Sequence, residues 1–174
     1  MMILNQIARI KNKVVFHQLH LNHCLTPKEV MQFENTFAIT LPEDFKHFLL
    51  EIGNGGDGPP FYGMNRLTDM ISSNSAIPFR PDLPFPLTQA WVWESETKEW
   101  WKDPSQIVQR VHCHGQLTVG TEGCGEYWSL IVSGDQYGYM WNISDVGAGP
   151  FVPEQSFTDW YELWLDSLDK KATL

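Results

Sequence analysis

The sequence predicts a single-domain α+β protein, with helices in its first third and at its end and strands between them. Three observations carry this. Apolar residues recur at three- and four-residue steps near both ends of the chain. From Gln116 the pattern changes to strand-like apolar runs broken by Gly-Asp turns. The 174 residues suffice for one domain with a real core, and 43% hydrophobic with 19% charged residues is globular composition.

Residues 1–25 read as an N-terminal extension. Ile3, Ile7, Ile10 and Val14 stand at helical spacing with Arg9, Lys11 and Lys13 between them, and the run of two β-branched residues and an aromatic, Val14-Val15-Phe16, favours a following strand. No acidic residue precedes Glu29, so this segment is a basic patch on an acidic chain, suited to pack against its own second half. A helix starts at Thr26-Pro27-Lys28-Glu29. Thr26 serves as cap, Pro27 fits the first helical position and Glu29 completes a capping box. Val30, Phe33 and Phe37 form its apolar face. A second start at Thr40-Leu41-Pro42-Glu43-Asp44 opens a helix with Phe45, Phe48, Leu49 and Ile52 on one face, ended by Gly53-Asn54-Gly55-Gly56.

Residues 53–63 hold five of the 13 glycines and read as a structured loop or hinge. Residues 72–86, with Pro78, Pro81, Pro84 and Pro86, are a long irregular excursion. Strands follow. Leu117 and Val119 alternate with polar neighbours, Tyr127 to Val132 runs apolar, Gly134-Asp135-Gln136 turns, and Tyr137 to Asn142 returns, with Gly138 marking a close backbone approach. The last helix begins near Ser156 and lines Phe157, Trp160, Tyr161, Trp164, Leu165 and Leu168 on one face. Asp159, Glu162, Asp166 and Asp169 are expected to face water.

The formal net charge is −9, split between −1 for residues 1–90 and −8 for residues 91–174. Such a field repels nucleic acid and anionic membranes and attracts basic partners. No run approaches the ~20 apolar residues needed to cross a bilayer, and the first residues lack the pattern of a secretory signal, so a cytoplasmic location is expected. Cys24, Cys113 and Cys124 are too few and too scattered for a disulfide framework, and no C-x-x-C pair supports a closed zinc site. All eight tryptophans lie from Trp91 onward, mostly as core.

Three segments together resemble the SUKH superfamily (Smi/Knr type). They are Leu41 to Leu50 running into Gly53-Asn54-Gly55-Gly56, then Gly115 to Thr121 with Gly123-Cys124-Gly125, Trp128 to Val132, Gly134 and Gly138 to Trp141, and lastly Ser156 to Leu165. The resemblance covers roughly residues 26–67 and 115–169, inside a domain taken as 26–169 with a tail at 170–174. It implies an antiparallel-rich mixed sheet packed by helices. It also implies a non-catalytic protein-binding role without cofactor. Bacterial members are typically immunity proteins that neutralise a cognate toxin, often a nuclease, while fungal members regulate cell-wall synthesis and signalling through protein contacts.

Residues able to carry chemistry are few. The cluster His17, His20, His23 and Cys24 has metal-like spacing, but a strand there would splay these side chains, and the expected metal set is none. Cys124 with His112 or His114 is a formal nucleophile and base pair. Glu122 and Glu126 flank the thiol with the wrong sign of field for a thiolate, so Cys124 is expected as a packed small residue at a tight turn. The glycine-rich loop follows a helix and lacks Gly-Lys-Ser/Thr, unlike a phosphate loop. The resemblance, with the acidic charge, implies a protein partner, a basic toxin domain, with no nucleic acid or membrane. Candidate contact residues are Asp57, Asp82, Glu94, Glu96, Glu99, Trp100, Asp103, Glu122, Glu126 and Asp135. The rival readings are a regulatory interaction module without a toxin, and a Cys/His-dependent enzyme.

Overall fold

The structure is a computed structural model and describes residues 2–59, 62–71, 78–93 and 107–171. The expected amphipathic segments all become helices. The first, α1 (Met2–Phe16), runs through Val14-Val15-Phe16, so the strand expected there does not form. Ile7 and Ile10 on α1 are fully buried. That burial holds the helix together past the β-branched residues, whose propensity is only a weak preference. In α2 (Pro27–Phe37) the Thr26 hydroxyl accepts from Glu29 N while the Glu29 carboxylate accepts from Thr26 N, the reciprocal cap its sequence predicts. Val30 and Phe33 are its buried face. In α3 (Glu43–Glu51), Phe45, Phe48 and Leu49 are buried.

Leu67–Met70 forms a short 3-10 turn. The sheet follows: β1 (Trp91–Val92), then, after helix α4 (Ile107–Cys113), β2 (Gln116–Gly123), β3 (Glu126–Ile131), β4 (Met140–Ile143) and β5 (Gly147–Pro150). Its order is β1-β5-β4-β3-β2, and every strand pair is antiparallel. β2 to β5 are thus a meander, and β1 adds to its far edge. The chain closes with α5 (Phe157–Lys171). The α+β class with an antiparallel-rich sheet is borne out. The described part of the Pro-rich excursion, residues 78–86, holds no helix or strand beyond a bridge from Arg80 to His114.

Successive strand residues point to opposite faces, and both faces are covered. Leu117, Val119, Leu130 and Met140 join Ile7, Ile10, Phe45, Phe48, Phe157 and Tyr161 in the larger core beneath the four long helices. Ile131, Trp141, Ile143 and Ala148 join Phe85, Trp93, Val108 and Val111 in a smaller core on the back. Trp93 is fully buried there and donates through Nε1 to the Asp145 carbonyl at 2.7 Å. The Gly134 turn forms as expected. Gly138, however, is a turn residue at φ 88° with open space where a Cβ would stand, not a point of close approach.

The basic leading segment does pack on the second half. Arg9 meets Glu162 with Nε and Nη2 at 3.0 and 2.9 Å, Lys13 Nζ lies 3.0 Å from Glu162 and also pairs with Asp166, and Gln6 donates to Asp159 at 2.8 Å. Glu162 is consequently buried, contrary to the expectation that it faces water. On the other flank, buried Asp44 of α3 accepts from Thr158 N at 3.0 Å and Thr158 Oγ1 at 3.1 Å. Two clamps, joined through Gln6, which also accepts from Thr158 Oγ1 at 3.1 Å, therefore fix α5, which carries the surface of interest.

Candidate functional site

α5 buries Phe157, Trp160, Tyr161 and Leu165 and leaves Leu163 54% exposed, off the apolar stripe. Leu163 and Trp164 form one wall of a groove of about 430 Å³ whose floor is Trp128, Phe151 and Trp160, with Pro59, Glu122 and Gln155 at its lips. The floor is rigid aromatic packing. Trp128 stacks on Phe151 at 4.4 Å and 28° and meets Trp160 at 5.5 Å. Trp128 points this way because it shares a strand face with Leu130, two residues on. Its indole Nε1 is buried and has no acceptor among the described residues.

Trp164 also borders a second, more polar depression of about 640 Å³, built from the glycine-rich loop around Asp57 and Gly58 with Tyr62, Asn65, Arg66 and Asp69. Backbone pairing holds this loop. Gly56 exchanges hydrogen bonds with Met64 at 2.7 and 3.0 Å, Asp57 N donates to His20 O at 2.9 Å, and His20 N donates to the Asp57 carboxylate at 2.7 Å. Tyr161 reaches up from α5 to donate to Asp57 O at 3.1 Å, and burial pushes its phenol well above the usual tyrosine range. Asn65 N and Nδ2 donate to Val119 O and Thr118 O at 2.7 and 3.0 Å, tying the loop to the edge strand β2. At the other end Gln155 and Leu163 border a third depression of about 350 Å³ with Pro153, Glu154, Asp159, Glu162 and Asp166. The three hollows adjoin along α5, sharing Trp164 on one side and Gln155 and Leu163 on the other, and make a trough that is apolar in its middle with carboxylates toward both ends, of which Glu162 and Asp166 are already paired with Arg9 and Lys13.

Residues 24–163 match the family model of the SMI1/KNR4 family (SUKH-1). The chain belongs to that family. The match takes in α2 through the first half of α5, hence most of the trough lining, and leaves α1 and the wall residue Trp164 outside. No curated protein and no solved structure matches the chain. SUKH-1 membership is consistent with an immunity-type or a regulatory binding domain.

Within this SUKH-1 frame the candidate residues separate. Asp57 and Glu122 line the trough, and Glu126 is exposed beside it at the β2–β3 hairpin, opposite Gly123. Asp82 and Asp135 lie at the other end of the strands. Asp82 is held by Arg80 (Nε to Oδ1 2.8 Å), and that hydrogen bond keeps its carboxyl below the usual aspartate range. Asp135 is exposed in the β3–β4 turn. The acids therefore do not form one patch. Glu94, Glu96, Glu99, Trp100 and Asp103 lie outside the described residues. The sequence reading missed Leu163, Phe151, Glu154 and Asp69. Leu163 carried a legible signal, a large apolar residue lying off the helix stripe.

The chemistry-bearing candidates do not converge. Cys124 is exposed rather than packed, at φ 51° in the tight hairpin. His112 and His114 precede β2 at its opposite end, and eight extended residues at ~3.3 Å each put more than about 20 Å between them and Cys124. His112 is a half-buried residue of α4, and desolvation there pushes its imidazole down. His20 pairs with Asp57, and among the described residues no group of three or more His, Cys, Asp or Glu is placed to hold a metal ion. Among the described residues, no helix is long and apolar enough to cross a membrane.

Proposed function

We propose that this SUKH-1 protein is an immunity-type inhibitor that works inside the cell by binding a cognate toxin domain, without catalysis of its own. The observation that carries the reading is the trough along α5: a fixed aromatic floor with carboxylates at its lips. A binding surface needs an apolar centre that excludes water and a polar rim that orients the partner. A nuclease toxin must approach phosphates and is basic for that reason, so an acidic rim would give fast, salt-sensitive capture. The net charge of −9 supports the same sign of partner.

The test is co-expression with the toxin domain encoded beside its gene. The expected result is restored growth and a one-to-one complex on gel filtration. Binding to a housekeeping envelope or signalling protein, with no protection against any adjacent toxin, would replace this reading with the regulatory one.

A further inference from the structure

The trough's chemistry narrows what can lie in it. Its middle exposes Leu163, 54% open, beside Trp164 and Phe151. Apolar side chains this open in a continuous hollow are stabilised by an apolar insert. Both flanks are acidic. Among the described residues Glu122, Glu154 and Asp69 make no ion pair and Arg66 is the one Lys or Arg lining the trough, while Arg9 and Lys13 are engaged with Glu162 and Asp166 at its far end.

The chain already shows how α5 recognises a basic segment. At the end of the trough where Glu162 and Asp166 line the third hollow, α1 lays down buried Ile7 and Ile10 while Arg9 and Lys13 pair with those two carboxylates. That contact uses the carboxylates facing α1 and leaves Glu122 and Glu154 for an outside partner. A second copy of this chain, at net −9, and nucleic acid both carry the wrong sign.

We infer that the trough receives a partner segment in which lysine or arginine residues flank a large aliphatic or aromatic side chain. The apolar side chain seats against Phe151, Leu163 and Trp164, and the cations reach Glu122 on one side and Glu154 on the other. This rests on the binding reading above and deepens it by fixing the docking face and the partner's sequence chemistry.

Three short synthetic peptides of equal length test it against the full chain: an amphipathic Lys/Leu helix, its Glu/Leu counterpart and a Lys/Ser counterpart. Binding is read by titration calorimetry and by the tryptophan fluorescence of the floor. The Lys/Leu peptide should bind at least about tenfold more tightly than either other peptide and weaken as salt rises. Leu163→Lys, at an exposed position, should weaken it at least about tenfold, with Glu122→Lys at the exposed lip as an independent second variant, while Asp135→Lys at the far end of the sheet should change it less than about twofold. Equal weakening by Leu163→Lys and Asp135→Lys would mean attraction to the whole acidic field and would overturn the inference, as would equal affinity for Lys/Ser and Lys/Leu. The two readings fail separately. Peptide discrimination without toxin protection removes only the immunity role. Protection that survives Leu163→Lys removes only the docking face.

Discussion

Glu162 of α5 lies in a fork of Arg9 from α1, with Oε1 3.0 Å from Nε and Oε2 2.9 Å from Nη2, and Lys13 adds a third contact to the same carboxylate. These two elements are 153 residues apart, so the fork is a tertiary clamp rather than a local helix pair. Burial alone would raise the Glu162 carboxyl, but the hydrogen bonds from Arg9 and Lys13 outweigh it and hold it below the usual glutamate range. A carboxyl lowered in the folded state contributes stability that is complete above its unfolded value of about 4.3 and is lost as pH falls through the folded value. Thermal melts from neutral pH to about pH 3 should therefore show a steeper acid loss for the natural protein than for Glu162→Gln. Parallel curves would show that the fork contributes nothing to the acid limb.

Asp44 and Thr158 make the second clamp. The buried carboxylate adds to the Ser156 cap of α5, whose hydroxyl accepts from Asp159 N, by accepting from both the backbone N–H and the hydroxyl of Thr158. Removing it orphans a buried donor at the helix start. Asp44→Ala should cost about 1–2 kcal/mol and lower Tm by roughly 2–8 °C. Asp44→Asn keeps an acceptor in place and should recover part of the loss. An Ala variant that melts with the natural protein would assign the cap to water.

What was legible in the sequence was whatever a long periodic pattern could announce. The caps at Thr26 and Glu29, the stripe on α5 and the meander from Gln116 all appear where the pattern put them. Three elements escaped. α4 spans only Ile107–Cys113, too short for its Val108 and Val111 to establish a period. β5 reads Gly147-Ala148-Gly149-Pro150, without one good strand former, and is a strand because β4 and β1 pair with its two edges. β1 has two residues and exists by that pairing alone. The trough was half legible: Asp57 and Glu122 were named from charge, but its aromatic floor joins β3, the segment after β5 and α5, a juxtaposition that only tertiary packing creates.

The glycines of the trough and of the β3–β4 turn should answer differently to substitution. Gly56 has φ 118°, and a Cβ there would stand 2.4 Å from the His20 carbonyl oxygen, on backbone that also carries the Asp57 pairing. Gly138 has φ 88° with nothing within 4 Å. Gly138→Ala therefore meets only the conformational penalty of about 1–2 kcal/mol, whereas Gly56→Ala must also displace the loop. Denaturant melts should rank Gly56→Ala as clearly the more damaging, with peptide binding impaired in it alone. Equal losses would mean that the loop relaxes freely around an added methyl.

The three thiols separate the binding reading from an enzymatic one. Cys24 and Cys124 are exposed, and Cys113 is buried at the end of α4. A maleimide reagent should label two thiols in the native protein and the third only after denaturation, with mass spectrometry of the digest assigning Cys113 to the protected site. Because β2 holds His112 and His114 far from Cys124, the exposed thiol has neither of these histidines as a base within reach. Cys124→Ser should then leave partner protection unchanged, and so should His114→Ala. A loss of protection in Cys124→Ser, with the fold intact by circular dichroism, would mean that the hairpin thiol takes part in the chemistry and that inhibition is more than occupation of a surface.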